Sequence, residues 1–346
     1  MNRWAEKELS PANLADARRN KRLIRIVEDL SAQPSSSVPQ ACSSPSATQA
    51  TYEFWASPRV KAKAIYQAHQ SSTLERIKEQ QTILAIQDTT ELNFSHHPSK
   101  KGMGYLDNRN CFGLKVHSAF GVSERGVPLG LLSQQVWARD PANIGKKHQR
   151  RKKETKDQES QRWLTTLSET QTMIPDEIGV VTIADREADI DDLLALPRRI
   201  GSEFLIRAAH DRCVKNHPES QERERLHSLI RQIEPSGQLC LELKRNPERS
   251  ARLATLTIRC TTLEIQPPRN RTNRNAFKPQ LVQVIKAEEE NPPQGCEPVS
   301  WLLFTTLKIR NFDDVVQYLQ WYSYSSPYLC SLDCFFGRVF RTQERW

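Results

Sequence analysis

Asp88 and Asp185 share one local setting. Each closes a short, nearly continuous apolar run, Thr82 to Gln87 (TILAIQ) for the first and Gly179 to Ala184 (GVVTIA) for the second. Such runs suit central strands covered on both faces. In α/β sheets, ligands and catalytic groups gather at strand carboxyl ends. On neighbouring strands the two carboxylates could converge on a hard cation such as Mg²⁺, which takes oxygen ligands and keeps positions open for phosphate oxygens. Two such ions about 4 Å apart could activate a water or a 3′-hydroxyl and stabilise the leaving oxygen. An aspartate after a strand also commonly forms a turn or caps a helix. Asp185 opens Asp185-Arg186-Glu187-Ala188-Asp189, where three acids precede an expected helix, and stabilising that helix's N-terminus accounts for some of them. The residues alone leave both readings open.

The pattern around these aspartates reads as α/β. Strands are expected at 82–88, at 111–122 and 127–137 as a hairpin turned by Ser123-Glu124-Arg125-Gly126, at 179–185 and at 203–208. Helices are expected up to about 171 and over 187–196. Alternating segments at 251–260 and 280–285 suggest antiparallel strands, 299–306 another strand, and 313–322 the start of a helix. Two strongly basic loops, 146–156 and 267–278, interrupt the series.

Residues 1–80 read differently, as a small, helical, basic module. Ser10 and Pro11 suit the start of a helix over 10–32, with Leu14, Ala17, Ile24, Val27 and Leu30 facing a core. Arg18, Arg19, Lys21, Arg22 and Arg25 crowd the same helix. They suit either a solvated basic face or a helix lying against phosphates. A Ser- and Pro-rich loop at 33–46 leads to helices at 47–56 and from Ser57-Pro58 to about Gln80.

Bulk composition bounds the function. The 346 residues suffice for two or three domains. The net charge of +9 suits a polyanionic partner. The eight cysteines are scattered, with no C-x-x-C pair, which argues against a zinc ribbon or a disulfide scaffold. The polar start carries no secretory signal, and no apolar run reaches membrane-spanning length. A reducing cytoplasm or nucleoid is the expected location.

Three stretches in order resemble the insertion-sequence-four family of transposases: WAEKELSPANLADARRNKRL (Trp4 to Leu23), IQDTT (Ile86 to Thr90) and ADREADI (Ala184 to Ile190). Pro39-Gln40-Ala41-Cys42 and Tyr52-Glu53-Phe54 fit the same N-terminal DNA-binding domain, and the resemblance spans about residues 3–324. It implies a hairpin-forming, cut-and-paste enzyme that acts as a dimer on double-stranded DNA, both transposon inverted-repeat ends and target. It also implies an RNase H-like core with a β-rich insertion, preceded by an all-α DNA-binding domain. The boundaries would be 1–80 for the end-binding domain, 81–209 for the first part of the core, 210–308 for the insertion, 309–324 for the start of the last core helix and 325–346 for the tail. Asp88 and Asp185 would be two members of an Asp-Asp-Glu triad holding two Mg²⁺ or Mn²⁺ ions. Arg207, in FLIRAA, would contact end DNA, and Trp301, in SWLLFTT, would stack on a flipped base; ordinary strand packing is the alternative for Trp301.

The third carboxylate breaks the resemblance. The family places Tyr, then Arg three residues on, Glu four further and Lys seven further. Tyr322 supplies the first, but Ser325, Leu329 and Phe336 stand at the others. Leu329 has no metal-binding oxygen, Ser325 carries no charge for phosphate, and Pro327 should interrupt the helix. Residues 325–346 do not resemble the family, as though a frameshift followed codon 324, and the expected dimerisation region does not appear before Trp346. Two functions follow: an active transposase, or a non-catalytic remnant that occupies DNA ends and opposes an intact relative. A different metal-dependent nuclease on the same fold is a weaker third.

Overall fold

The computed structural model describes residues 4–97, 99–143, 159–216, 222–243, 251–268 and 277–325. These form a mixed α/β protein of two compact units, one within Met1–Lys153 and Thr172–Ile178, the other within Glu154–Gln171 and Gly179–Ser325. The basic loop expected at 146–156, most of that at 267–278, and Leu329 and Phe336 lie outside the described residues.

The first unit opens with α1 (Trp4–Leu9), α2 (Ala17–Ala32), α3 (Val38–Ala41), α4 (Pro45–Ala56) and α5 (Ala62–Ile77). The helix expected over 10–32 is therefore two. Ser10 ends α1, its N–H donating to the Glu6 carbonyl at 2.8 Å. The chain turns through Ala15 at φ 57°, and Asp16 caps α2 by accepting from the Arg18 N–H. Asn20 and Arg19 reach back from α2 and fasten this turn: Asn20 Nδ2 donates to the Ala12 carbonyl at 2.6 Å, and Arg19 Nη1 to the Leu14 carbonyl at 2.7 Å. Leu9, Leu14, Leu23, Ile26, Phe54 and Ala68 form the core of this helical cluster, with Ile24, Val27 and Leu30 packed against it. Ser57-Pro58 does not start α5. It forms a turn after α4, closed by Val60 N–H donating to Ser57 O.

Four strands follow, β1 (Thr82–Asn93), β2 (Gly104–Tyr105), β3 (Phe112–Ser123) and β4 (Pro128–Trp137). β3 pairs antiparallel with β1, β2 and β4. The β3–β4 hairpin matches its expectation, closing at Ser123–Val127 with Gly126 at φ 80°. Its register slips twice, between Ala119 and Phe120 and between Gly121 and Val122. The slips leave Leu129 and Leu132 of β4 without partners across the ladder, as in a β-bulge.

A buried carbonyl without a partner costs about 1–3 kcal/mol, and α5 supplies the donors. Arg76 Nε donates to Leu129 O at 2.5 Å; Tyr66 Oη and Gln70 Nε2 donate to Leu132 O at 3.1 and 2.7 Å. The Leu131 N–H donates to His69 Nε2 at 2.8 Å, so the His69 proton sits on Nδ1 and points to Glu8 at 2.6 Å. Glu8, on α1, also takes the Arg76 fork at 2.6 and 3.0 Å. The bulged strand, α5 and α1 are thus one hydrogen-bonded assembly. Gly130 lies at its centre with φ 141°, and a Cβ there would stand 2.1 Å from Thr73 Oγ1.

The second unit contains most of α6 (Gln161–Met173), then β5 (Gly179–Ala184), a 3₁₀ turn (Arg186–Ala188), α7 (Asp191–Ala195), β6 (Ser202–Arg207), β7 (Cys213–Lys215), β8 (Glu224–Arg225), α8 (Leu226–Gln232), β9 (Gly237–Leu243), β10 (Arg252–Ile265), β11 (Gln280–Glu288), β12 (Ser300–Thr305) and α9 (Phe312–Ser323). Its strand order runs β5-β6-β12-β11-β10, then β7-β8, with β9 also on β10. β5 and β6 are parallel; the other pairs are antiparallel. Trp163 and Leu167 of α6, Leu193 and Leu194 of α7, and Leu226 and Leu229 of α8 share a core with Phe204, Ile206 and Phe304 of the sheet. The helix expected over 187–196 is broken. Asp189 and Ile190 leave helical geometry because the Asp189 side chain is used elsewhere.

Two outcomes are expected. Gly130→Ala should lose about 2–3 kcal/mol in urea unfolding, since it adds both a steric clash and φ strain; an unchanged midpoint contradicts the bulge assignment. Burial pushes the Glu8 carboxyl up, but His69 and Arg76 outweigh it and hold the pKa at about 2, below the ordinary 4.5. Its folded value is depressed, so its contribution is complete above about 4.5 and is lost as pH falls toward 2. Glu8→Gln should therefore flatten the acid limb of the stability profile across that window.

Candidate functional site

Parallel pairing of β5 with β6 sets the second unit's site. The register matches Ala184 with Ile206, so Asp185, just past β5, and Arg207, the last residue of β6, stand at equivalent carboxyl ends. Antiparallel pairing matches Arg207 with Leu303 of β12. Side chains alternate along strands, which puts Trp301 on the Arg207 face, opposite the helix-packed face of Phe204 and Ile206. α9 brings Tyr322 to the same place. Tyr322 is buried, its ring meets Trp301 edge-on at 5.2 Å and 69°, and its hydroxyl is hydrogen-bonded to Arg207. Arg207 Nη2 also donates to the Ser300 carbonyl at 2.8 Å. Asp185, Arg207, Trp301 and Tyr322 are thus one cluster, and Trp301 does pack, while remaining half-buried.

Burial raises the Asp185 pKa above its ordinary value, with Glu187 adding to the rise; the Glu187 N–H, Arg162 and Arg207 oppose it incompletely. Burial also raises that of Tyr322, against the pull of Arg207. Asp185 Oδ1 accepts from the Glu187 N–H at 2.9 Å, so the aspartate does cap the 3₁₀ turn. Its carboxylate is an incompletely compensated anion with oxygen donors, and that chemistry fits a hard cation. Glu187 itself is held by Arg162 at 2.5 Å.

Asp189 has another task. Its oxygens accept from the Ala209 and His210 N–H groups at 2.7 and 3.0 Å and from Arg212 Nε at 2.8 Å, and Arg212 also pairs with Asp191. The Asp189 side chain is fully buried. This ion pair joins the loop after β5 to the loop after β6 and so fixes the relation of Asp185 to Arg207. Spacing alone did not reveal Arg212, because its partner lies 23 residues away.

Asp88 lies in the first unit, in the interior of β1 rather than at its end. The strand continues to Asn93 because β3 pairs with it that far, Asn93 opposite Gly113. Asp88 is half-buried and faces Ser118, itself hydrogen-bonded by Gln134 at 3.1 Å. On the opposite face of β1, Thr89 and Gln87 hold buried His117, at 2.9 and 3.4 Å. Among the described residues, no three His, Cys, Asp or Glu side chains gather as a metal site. Ser325 turns its hydroxyl back to the Tyr322 carbonyl at 2.7 Å.

The basic residues of α2 divide by role. Arg19 braces the turn before the helix. Arg18, Lys21, Arg22 and Arg25 recur at helical spacing, with Arg18, Lys21 and Arg25 exposed. Arg18 pairs with its own cap Asp16, and Arg25 with Asp29; both contacts are solvent-screened and weak.

The N-terminal helices match a known family. Residues 1–60 fit the family model described as transposase DNA-binding. This match supports a transposase, a DNA-processing enzyme, with DNA as its partner. No helix among the described residues is long and apolar enough to cross a membrane.

Because burial penalises the Asp185 anion, Asp185→Asn should leave the fold as stable or more stable at neutral pH. Any gain should vanish as pH falls below the ordinary aspartate range, near 4. Millimolar Mg²⁺ or Mn²⁺ should raise the unfolding temperature of the unsubstituted chain more than that of Asp185→Asn. Equal metal responses would remove Asp185 as a ligand.

Proposed function

We propose that this protein is a cut-and-paste DNA transposase of the insertion-sequence-four type, with an RNase H-like core and hairpin-forming lineage, that retains end recognition but lacks a complete cleavage centre. The observation that carries the DNA-binding part is the transposase DNA-binding match over residues 1–60, on helices that present Arg18, Lys21 and Arg25 to solvent. The proposed boundaries are an end-binding domain over 1–80, a core beginning at 81–209, a β-rich insertion over 210–308 and a resumption of the core at 309–324.

In this reading Asp88 and Asp185 would hold Mg²⁺ or Mn²⁺. The ions would supply Lewis-acid stabilisation of the reacting phosphate oxygens. Arg207, fixed by Ser300 and Tyr322, would orient a DNA phosphate beside Asp185. Trp301, braced edge-on by Tyr322, would offer the remaining part of its ring to an extruded base. The position of the third ligand is Leu329, whose hydrocarbon side chain binds no cation. The expected activity is therefore sequence-selective occupation of double-stranded DNA ends, in a bacterial cytoplasm or nucleoid, with the capacity to oppose an intact dimeric relative. Phosphoryl-transfer catalysis depends on charge neutralisation around the reacting phosphate, and an incomplete ligand set removes much of it.

The test is the salt dependence of binding to duplex DNA selected from a random pool. Each phosphate contact contributes a slope of about 0.9 in log K against log salt. Arg18→Ala, Lys21→Ala and Arg25→Ala should each lower that slope by about one unit while leaving the fold intact. A chain that prefers no sequence, or whose slope ignores all three changes, does not bind DNA ends through α2.

A further inference from the structure

We infer that the strand end formed by residues 94–97 and 99–112 is a second DNA-contact surface, with the cations of Lys101 and Arg109 placed for phosphates and the Phe112 ring placed to stack on an unpaired base. This rests on the reading of the protein as a DNA binder and adds a surface outside residues 1–60.

The segment is rigidly framed. The Phe94 N–H donates to Phe112 O, and the Phe112 N–H donates to Ser95 Oγ, both at 2.8 Å. These bonds bind the loop after β1 to the start of β3. A tight turn, closed by Leu106 N–H to Cys111 O and Cys111 N–H to Asn108 O, both at 2.9 Å, carries Arg109 at its tip. β2 pairs Tyr105 with Phe112, so the chain carrying Lys101 and the turn carrying Arg109 lie on either side of this short strand pair.

Charge and exposure then set its chemistry. Asp107 is the acid of this turn, and Lys115 at 2.9 Å and Arg139 at 2.6 Å neutralise it; burial works against them, yet its pKa stays at about 2. Lys101 and Arg109 are exposed, and neither has an ion-pair partner among the described residues. The uncompensated charge of the segment is therefore positive. Phe112 lies 44% exposed, with its backbone fixed on both sides. A rigid, exposed aromatic beside free cations is the combination that tracks single-stranded DNA, where the backbone meets charge and a base meets the ring. An acidic protein would use the cations but gain little from a stacking ring.

The experiment compares a blunt duplex with the same duplex bearing a short 3′ overhang that contains 2-aminopurine, using the full chain. Phe112→Ala should weaken overhang binding about tenfold and abolish fluorescence quenching, with blunt-duplex affinity changed less than about twofold. Phe112→Trp should retain both affinity and quenching, which separates lost stacking from lost folding. Lys101→Ala with Arg109→Ala should reduce the salt slope on the overhang duplex by about 1.5. Native affinity, quenching and slope in these variants would overturn the surface while leaving end binding by α2 in place. Failure of the unsubstituted chain to bind either duplex would overturn both. Competition by polyglutamate as effective as by overhang DNA would assign the surface to an acidic protein and overturn the proposal.

Discussion

The fold of the first unit depends on how β4 satisfies its own backbone. Two register slips strand the carbonyls of Leu129 and Leu132, and buried peptide groups must find partners. Arg76, Tyr66 and Gln70 provide them from α5. Glu8 then binds the same arginine from α1, so the helices that carry the transposase DNA-binding match are fastened to the sheet that carries Asp88. The ion pair is partly buried, with side-chain exposures of 37% and 17%, and its hydrogen bonds are also bonds to backbone-linked groups. Its value lies in joining three elements more than in charge attraction alone.

The second unit solves a related problem with charge. The loops after β5 and β6 each leave the sheet beside a functional candidate, and either could drift without a tether. Buried Asp189 accepts two backbone N–H groups from the second loop and pairs with Arg212. Removing one partner of such a pair typically costs about 3–5 kcal/mol, because the other charge is left buried. The same clamp explains why Asp185 can remain incompletely compensated nearby. The surrounding structure holds it at a strand end despite the burial penalty, as functional groups with shifted pKa values commonly are.

Much of the secondary structure was legible because its signals were local. Alternation and a Gly-containing turn marked the β3–β4 hairpin, and the apolar run over 179–184 marked β5. Ser10-Pro11 and Ser57-Pro58 misled for a common reason: both sequences suit a helix start, but each closes a turn after the preceding helix. Asp88 resembled a strand terminus because the apolar run stops there, whereas β3 continues to pair with β1 as far as Asn93. The cluster of Asp185, Arg207, Trp301 and Tyr322 draws on the ends of four strands and helices spread over more than a hundred residues. Only the family resemblance placed those residues together in advance; spacing had no access to it. The Asp189–Arg212 clamp and the α5 donors to β4 were illegible because their partners are set by tertiary packing.

DNA recognition and the lack of cleavage can be read in one assay. The full chain is incubated with a duplex carrying its selected site, in Mg²⁺ and separately in Mn²⁺, and the same sample is read for footprint and for strand nicks. A protected site and intact strands are expected under both metals, given Leu329 at the third ligand position. A metal-dependent nick at the protected site, abolished by Asp185→Asn, would contradict that expectation and establish a complete catalytic centre.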